Sequence, residues 1–306
     1  MNSSIFQISP EVKLALDEGR GIVALESTII THGMPYPQNR DTALRVEQAV
    51  RASGAIPATI AVLSGKIMVG LDEQQVEELA KTSTAMKLSR ADLAMAVSTK
   101  AVGSTTVAAT MIIAALAGIK VFATGGIGGV HQGAENSFDI SADLQELSRT
   151  AVTVICAGAK AILDLPKTLE VLETLGVPVL AYQQDELPAF WSRNSGLQAP
   201  LRADSVHDIV AFMQAREALS ITGGVLITNP VPAEHEIPRE EMDAFIERAI
   251  SESHKAGITG KAVTPWLLGR IVELSDGRSL ITNQALITNN ASLSGELAVQ
   301  LATSSN

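Results

Sequence analysis

Cysteine is almost absent: Cys156 stands alone in 306 residues. An internal disulfide and a cysteine-rich zinc site are thereby excluded, and a reducing compartment fits. Aromatic residues make up only 3% of the chain. The core must therefore come from Ala, Val, Ile and Leu, as in a buried sheet covered by helices. Basic charge is short as well, with 23 Lys and Arg against 33 Asp and Glu and a net charge of −10. Such a chain lacks both the phosphate-neutralising charge and the stacking platforms of a nucleic-acid binder. The N-terminal MNSSIFQISPEVK has no basic region and no apolar run of signal length. The longest uncharged stretch, 19 residues between Lys100 and Lys120, approaches the length of a membrane span. Gly103, Ser104, Thr105, Thr106, Thr110 and Gly118 interrupt it, and charged sequence flanks it, so it reads as a buried core helix. The chain is expected to be soluble and cytoplasmic.

What is present is globular: 46% hydrophobic and 18% charged residues. No repeat, low-complexity tract or long linker divides the sequence, so residues 1–306 are expected to form a single domain. Short Val- and Ile-rich runs at Ile22–Leu25, Thr59–Leu63, Lys66–Val69, Lys120–Ala123, Val152–Cys156, Val177–Ala181 and Val225–Thr228 alternate with helical patterns. Ser64-Gly65 reads as a hairpin turn and Asp72 with Gln75 as a capping box. Thr264-Pro265 reads as an N-cap with proline at the first helical position, and Gly54, Gly118, Gly176 and Gly257 as helix stops. The alternation predicts an α/β fold, an α/β/α sandwich with a largely parallel central sheet. The proline-rich stretch Asn229–Pro238 reads as a long functional loop, and residues 187–204 as an excursion from the pattern.

Four segments carry more chemistry than folding requires. In GIVALESTIITHGMPYP a buried-looking strand runs into Glu26, followed by Ser27, Thr28, Thr31 and His32. At the carboxyl end of a parallel strand, Glu26 reads as a general acid or base, or as a structural cap. In TGGIGGVHQG, five glycines in ten residues follow a strand. They allow close backbone approach to a ligand, or simply a tight turn. His131 occupies the place of the third glycine of a dinucleotide fingerprint, and no GK[ST] follows, so neither nucleotide motif applies. His131 itself suits a polar substrate contact. In FDISADL, Ser141 is a plausible N-cap at a helix start suited to phosphate. Asp139 there suits a hard divalent cation; the alternative for Asp139 and Asp143 is ordinary capping. In VTVICAGAK, Cys156 reads as packing. Lys160, at the sheet edge among apolar residues, reads as a nucleophile of lowered pKa, or as a solvated lysine opening the next helix.

GIVALESTIITHGMPYPQN, TGGIGGVHQGAENSFDISADLQEL and VTVICAGAKAILDLPKTLEVLETLGVPVLAYQ together resemble the pseudouridine-5′-phosphate glycosidase family (pseudouridylate synthase, a carbon–oxygen lyase), and the resemblance covers nearly the whole chain. It implies reversible conversion of pseudouridine 5′-phosphate and water to uracil and ribose 5-phosphate. It also implies a divalent metal, most often Mn²⁺, an α/β/α fold and a homotrimer. By the matching motifs, Glu26 corresponds to the proton donor, Lys160 to the covalent nucleophile and Asp139 to the metal ligand. Ser141, Ala142 and Asp143 correspond to a substrate-binding run, Lys87 in KLSRADL to a substrate-binding lysine and Val107 in STTVAAT to a backbone contact near the phosphate. Asn283 in TNQAL resembles an asparagine of the pyrimidine site. Trp191–Arg202 departs from the family pattern.

The chemistry so implied is unusual. The sugar C1′ of pseudouridine is bonded to carbon C5 of uracil, so the two-carboxylate glycosidase scheme has no leaving heteroatom to protonate. Opening the ribose, adding Lys160 as a neutral amine at C1′ and protonating C5 from Glu26 breaks the bond. Such a route requires the amine unprotonated near neutral pH, well below ~10.4. The competing readings are a non-catalytic binding protein for phosphorylated nucleosides, a kinase without an ATP-phosphate motif, and an N-nucleosidase with too few aspartates.

Overall fold

Short runs rich in Val, Ile and Ala, buried along their length, form the strands. A computed structural model describes residues 5–258 and 260–304. Its strands are β1 (Phe6–Ile8), β2 (Ile22–Leu25), β3 (Ile56–Leu63), β4 (Lys66–Val69), β5 (Met86–Leu88), β6 (Gly103–Thr105), β7 (Val121–Ala123), β8 (Thr153–Cys156), β9 (Val179–Tyr182), β10 (Leu201–Ala203) and β11 (Val225–Thr228). They join in one sheet of order β1-β4-β3-β2-β7-β8-β11-β9-β10, with β6 paired to β3 and β5 to β6. Only the β3–β4 and β3–β6 pairings are antiparallel.

Side chains alternate between two buried layers, as the period of a strand demands. Val23, Leu25, Val121, Ala123, Ile155, Val225 and Ile227 join a core with the helices Gln38–Ala52, Val206–Ala218, Arg239–Lys255, Val263–Leu274 and Arg278–Ser304. Ile22, Ala24, Phe122, Val154, Cys156 and Leu226 join a second core with the helices Pro10–Asp17, Leu93–Ser98, Val107–Ala117, Ala142–Arg149 and Leu165–Thr174. Helices thus cover both faces of a largely parallel sheet, the α/β/α sandwich expected. Among the described residues no helix is long and apolar enough to cross a membrane. The uncharged stretch between Lys100 and Lys120 divides into β6 and the buried helix Val107–Ala117.

Several boundaries differ from expectation for physical reasons. β3 begins at Ile56 and so contains Pro57. β4 pairs with it only from Ile60 onward, and Ile56 N–H points the other way, to Gly21 O. The missing N–H of Pro57 therefore faces a side where no ladder bond is lost. β9 starts at Val179 because Val177 N–H turns back to Leu172 O and finishes the preceding helix. Thr264 is not an N-cap: a 3₁₀ turn at Gly260–Ala262 leads directly into the helix, which places Thr264 and Pro265 within its first turn, where N–H groups have no intrahelical partner to lose. Residues 229–238 act as a buttress. Val231 and Ile237 are buried, Arg193 Nη1 donates to Val231 O at 2.6 Å and Ser192 Oγ to Ile237 O at 2.7 Å. That stretch braces residues 190–193. Ser64-Gly65 makes the hairpin, both at positive φ, and the Asp72–Gln75 capping box is formed.

β3 outruns β2. Beyond Leu25 its edge is taken over by β6, and the Ser27 hydroxyl fills the join, donating to Ile60 O at 2.6 Å and accepting from Thr105 N–H at 2.9 Å. Behind it, the carboxyl of Glu47 accepts a hydrogen bond from the Thr59 hydroxyl. Burial raises the pKa of Glu47 above its ordinary 4.5, with Thr59 and Arg51 opposing. Because the folded-state value is raised, ionisation destabilises the fold as pH climbs past the unfolded-state value. Glu47→Gln should raise the melting temperature at pH 7, and the gain should vanish below about pH 4.5. Paired thermal melts at the two pH values check this.

Candidate active site

β2, β7 and β8 are adjacent and parallel, so their carboxyl ends open on one edge. Ligands collect at such an edge. Glu26 follows β2, Thr124–Gly129 follows β7, and Ala157–Lys160 follows β8. The antiparallel turn of β6 brings Thr106 and the start of helix Val107–Ala117 to the same edge. A cavity of about 400 Å³ lies there, lined by Glu26, Lys87, Val107, His131, Asp139, Ser141, Ala142, Asp143, Lys160 and Asn283. The residues matched to the proton donor, nucleophile, metal ligand and substrate contacts thus meet at one cavity. His32, Ser89, Thr106, Phe190 and Leu268 line it as well.

Glu26 is fixed at both carboxylate oxygens. The Thr28 hydroxyl donates to Oε2 and the Thr124 hydroxyl to Oε1. Thr124 is held in turn through its carbonyl, which accepts from the buried Asn290 Nδ2 at 2.9 Å. Two hydroxyl donors orient the carboxylate. Lys160 Nζ donates to Gly126 O at 2.6 Å, and its backbone N–H donates to Ile127 O at 3.1 Å. Lys160 does not open a helix. The next one begins at Leu165, capped by Asp164, so helix-dipole placement plays no part in its environment. Cys156 is buried and its thiol is pushed up to about 12, chiefly by burial, which agrees with a packing role.

Asp143 is buried, and its carboxylate joins two walls of the site. Oδ1 accepts from Ala108 N–H at 2.9 Å and Oδ2 from Gly128 N–H at 2.8 Å. Arg90 Nε and Nη2 donate to the buried Glu146 at 2.6 and 2.7 Å, tying the turn after β5 to the same helix Ala142–Arg149. Ser141 caps that helix and accepts from Asp143 N–H. The glycines of the loop serve packing as much as approach. A Cβ at Gly128 would lie 2.2 Å from Ser141 Oγ, and one at Gly126 would lie 2.6 Å from the Phe190 ring.

Asp139 is exposed at the rim, and its carbonyl accepts from His131 N–H at 3.0 Å. His131 is held below its ordinary pKa by burial, against the raising pull of Asp139 and with Lys87 and Lys160 adding to the lowering. No cluster of three or more His, Cys, Asp or Glu that could hold a metal ion exists among the described residues. The donor set at Asp139 therefore fits a cation held through one carboxylate, with water or substrate oxygens completing its shell, as hard divalent ions accept. Phe190 was invisible in the sequence reading. It projects from the irregular stretch 187–204 at positive φ, its ring edge-on to Trp191 with centroids 4.9 Å apart, and no local pattern announces such a residue.

The profile of the family described as indigoidine synthase A like protein matches residues 11–300. A pseudouridine-5′-phosphate glycosidase of Solibacter usitatus is 62% identical over 96% of this chain and 99% of its own length. One of Paracoccus denitrificans is 62% identical over 98% of this chain and 99% of its own. The chain belongs to the pseudouridine-5′-phosphate glycosidase family. Two solved structures share the fold: the prealnumycin C-glycosynthase AlnA in complex with ribulose 5-phosphate (TM-score 0.91, 38% identity, 98% of each chain) and an indigoidine synthase A-like protein from Thermotoga maritima (TM-score 0.89, 34% identity, 97% of each chain). The similarity thus runs over nearly the whole chain.

Asp143→Asn would set an amide NH₂ against one of the two N–H donors. Unfolding in denaturant should show a loss of about 1–3 kcal/mol, with weaker substrate binding because both walls move. An unchanged midpoint would show that the clamp carries no load.

Proposed function

We propose that this chain catalyses reversible cleavage of the C–C glycosidic bond of pseudouridine 5′-phosphate to uracil and ribose 5-phosphate, as a lyase acting through a ring-opened ribose bound to Lys160. The observation that carries the reading is the pairing of Glu26 and Lys160 on the carboxyl ends of β2 and β8, the strands on either side of β7, within one cavity that also holds a lysine and a helix start. A C-glycosynthase of the same fold holding a sugar phosphate supports it.

The residues divide the work. Lys87 and the N–H of Val107 take the phosphate, with Ser141 and Ala142 beside them. Asn283 and Phe190 take the uracil, and His131 contacts the sugar phosphate. Uracil gives up its N1 proton and pushes electrons to expel the ring oxygen, which takes up that proton as a hydroxyl; N1 regains a proton from the water that hydrolyses the iminium. The Lys160 amine then bonds to C1′ and gives up a proton, and Glu26 delivers a proton to C5 as the C1′–C5 bond breaks. The proton lost by one residue is the proton supplied by the other, so the pair balances within the site. The resulting iminium is hydrolysed by water to ribose 5-phosphate, freeing Lys160. A divalent cation, Mn²⁺ in this reading, is held by Asp139 and supplies charge stabilisation for substrate oxygens. The same reading makes the chain a single domain, a homotrimer and a cytoplasmic enzyme. Light scattering after size exclusion tests the trimer.

Incubation with pseudouridine 5′-phosphate and Mn²⁺ should release free uracil on chromatography. No uracil would leave the non-catalytic binding protein as the better reading. Borohydride added during turnover should attach the ribose phosphate fragment to the peptide bearing Lys160. Lys160→Ala should bind substrate yet fail in both directions, and substantial activity in it would exclude the covalent route. Glu26→Ala should lose at least ~10²–10⁴-fold in kcat with the fold intact by circular dichroism.

Exhaustive chelation should abolish turnover and added Mn²⁺ should restore it. Asp139→Asn should need much more metal for half-maximal rate. Full activity after chelation would remove the metal from the reading.

A further inference from the structure

His32 has no role in the scheme above, yet it lines the same cavity as Glu26 and Lys87. It sits in the single π-helical turn Ile29–Gly33, a local widening often found at functional sites. Its ring is half-buried, and Nδ1 lies between two hydroxyls, Thr31 Oγ1 at 2.5 Å and Ser104 Oγ at 3.3 Å. Thr31 Oγ1 donates to Ser104 Oγ at 2.7 Å, and Ser104 Oγ donates to Met86 O at 3.5 Å. The Thr31 proton is thus spent on Ser104. A ring N–H at Nδ1 donating across the 2.5 Å contact to Thr31 Oγ1 continues that chain, with the Ser104 hydroxyl turned to Met86 O and away from Nδ1. In the tautomer that matches this chain Nδ1 carries the hydrogen and Nε2 has a free lone pair.

We propose that His32 is a specificity residue whose Nε2 accepts a hydrogen bond from a hydroxyl of the sugar of the phosphorylated substrate. The inference rests on the sugar-phosphate reading of the cavity and adds to it a neutral nitrogen acceptor for a sugar hydroxyl. Glu26 is engaged by two threonines, Asp143 by two backbone N–H groups, and Lys87 and Lys160 only donate. Nε2 is a neutral acceptor at that wall, suited to a hydroxyl and unsuited to the phosphate. Burial and Lys87 hold the ring below its ordinary pKa, which agrees with an uncharged imidazole. A sugar lacking the hydroxyl leaves this acceptor unpartnered, which is how a site built for a hydrogen bond rejects the deoxy analogue.

Titration calorimetry with ribose 5-phosphate and its 2-deoxy and 3-deoxy analogues tests the pairing without depending on turnover. Wild-type protein should bind one deoxy analogue about tenfold more weakly than ribose 5-phosphate. His32→Phe should bind ribose 5-phosphate about tenfold more weakly and lose that discrimination, while His32→Gln, whose amide carbonyl can accept, should regain part of it. Equal discrimination in wild type and His32→Phe would overturn the proposal, as would a failure of wild type to bind ribose 5-phosphate at millimolar concentration. Binding with discrimination but no uracil release would instead sink the catalytic reading and leave His32 standing. Should His32→Phe not fold, nitrogen-15 spectra of wild type decide: a protonated Nε2 at neutral pH overturns the proposal.

Discussion

The site depends on one carboxylate that reacts with nothing. Asp143 accepts from the glycine loop with one oxygen and from the start of helix Val107–Ala117 with the other. The first of these elements leaves β7 in the main parallel sheet, and the second leaves β6 in the antiparallel annex. A shared acceptor joins the two walls of the cavity directly, above the sheet that carries both. Two charge-assisted bonds to a buried group are strong, and the Arg90–Glu146 pair anchors the same short helix from its other side. The cavity is therefore closed by polar bonds laid over an apolar base.

Reactive groups are positioned by a different logic. Glu26 and Lys160 belong to loops, but each lies within a few residues of a buried strand end, where backbone freedom is small. The threonine pair holds Glu26, and Asn290, from the long C-terminal helix on one face, holds Thr124. Lys160 is held by a carbonyl of the glycine loop. The Glu26 carboxylate is thus bound by two hydroxyls and the Lys160 amine by a neutral carbonyl.

Much of this was legible in the sequence, and the failures have physical causes. Strands β2, β4 and β11 were readable to the residue because burial on both faces leaves unbroken Val- and Ile-rich runs between turn signals. β3 was read short because a proline speaks against a strand, and only the pairing shows that Pro57 faces an unpaired side. The glycine loop was found, but the reason for two of its glycines lies in Phe190 and Ser141, one of them more than sixty positions away. Residues 229–238 looked functional because prolines and polar groups are dense there, and their buried contacts with the 190–193 segment are long-range. His32 was noticed without a role, since its tautomer depends on Thr31 and Ser104, and Ser104 comes from β6.

The overrun of β3 past β2 has a consequence for how such a site can change. Glu26 and Lys160 stand on the main sheet, whereas Lys87, Ser89, Thr106 and Val107 stand on strands and turns borne by the extra length of β3. These are two separately supported pieces of one pocket, joined through Ser27 and Asp143. Drift in the annex alters one wall of the pocket while the wall on the main sheet keeps its geometry. A fold partitioned in this way lets part of a pocket vary without disturbing the rest.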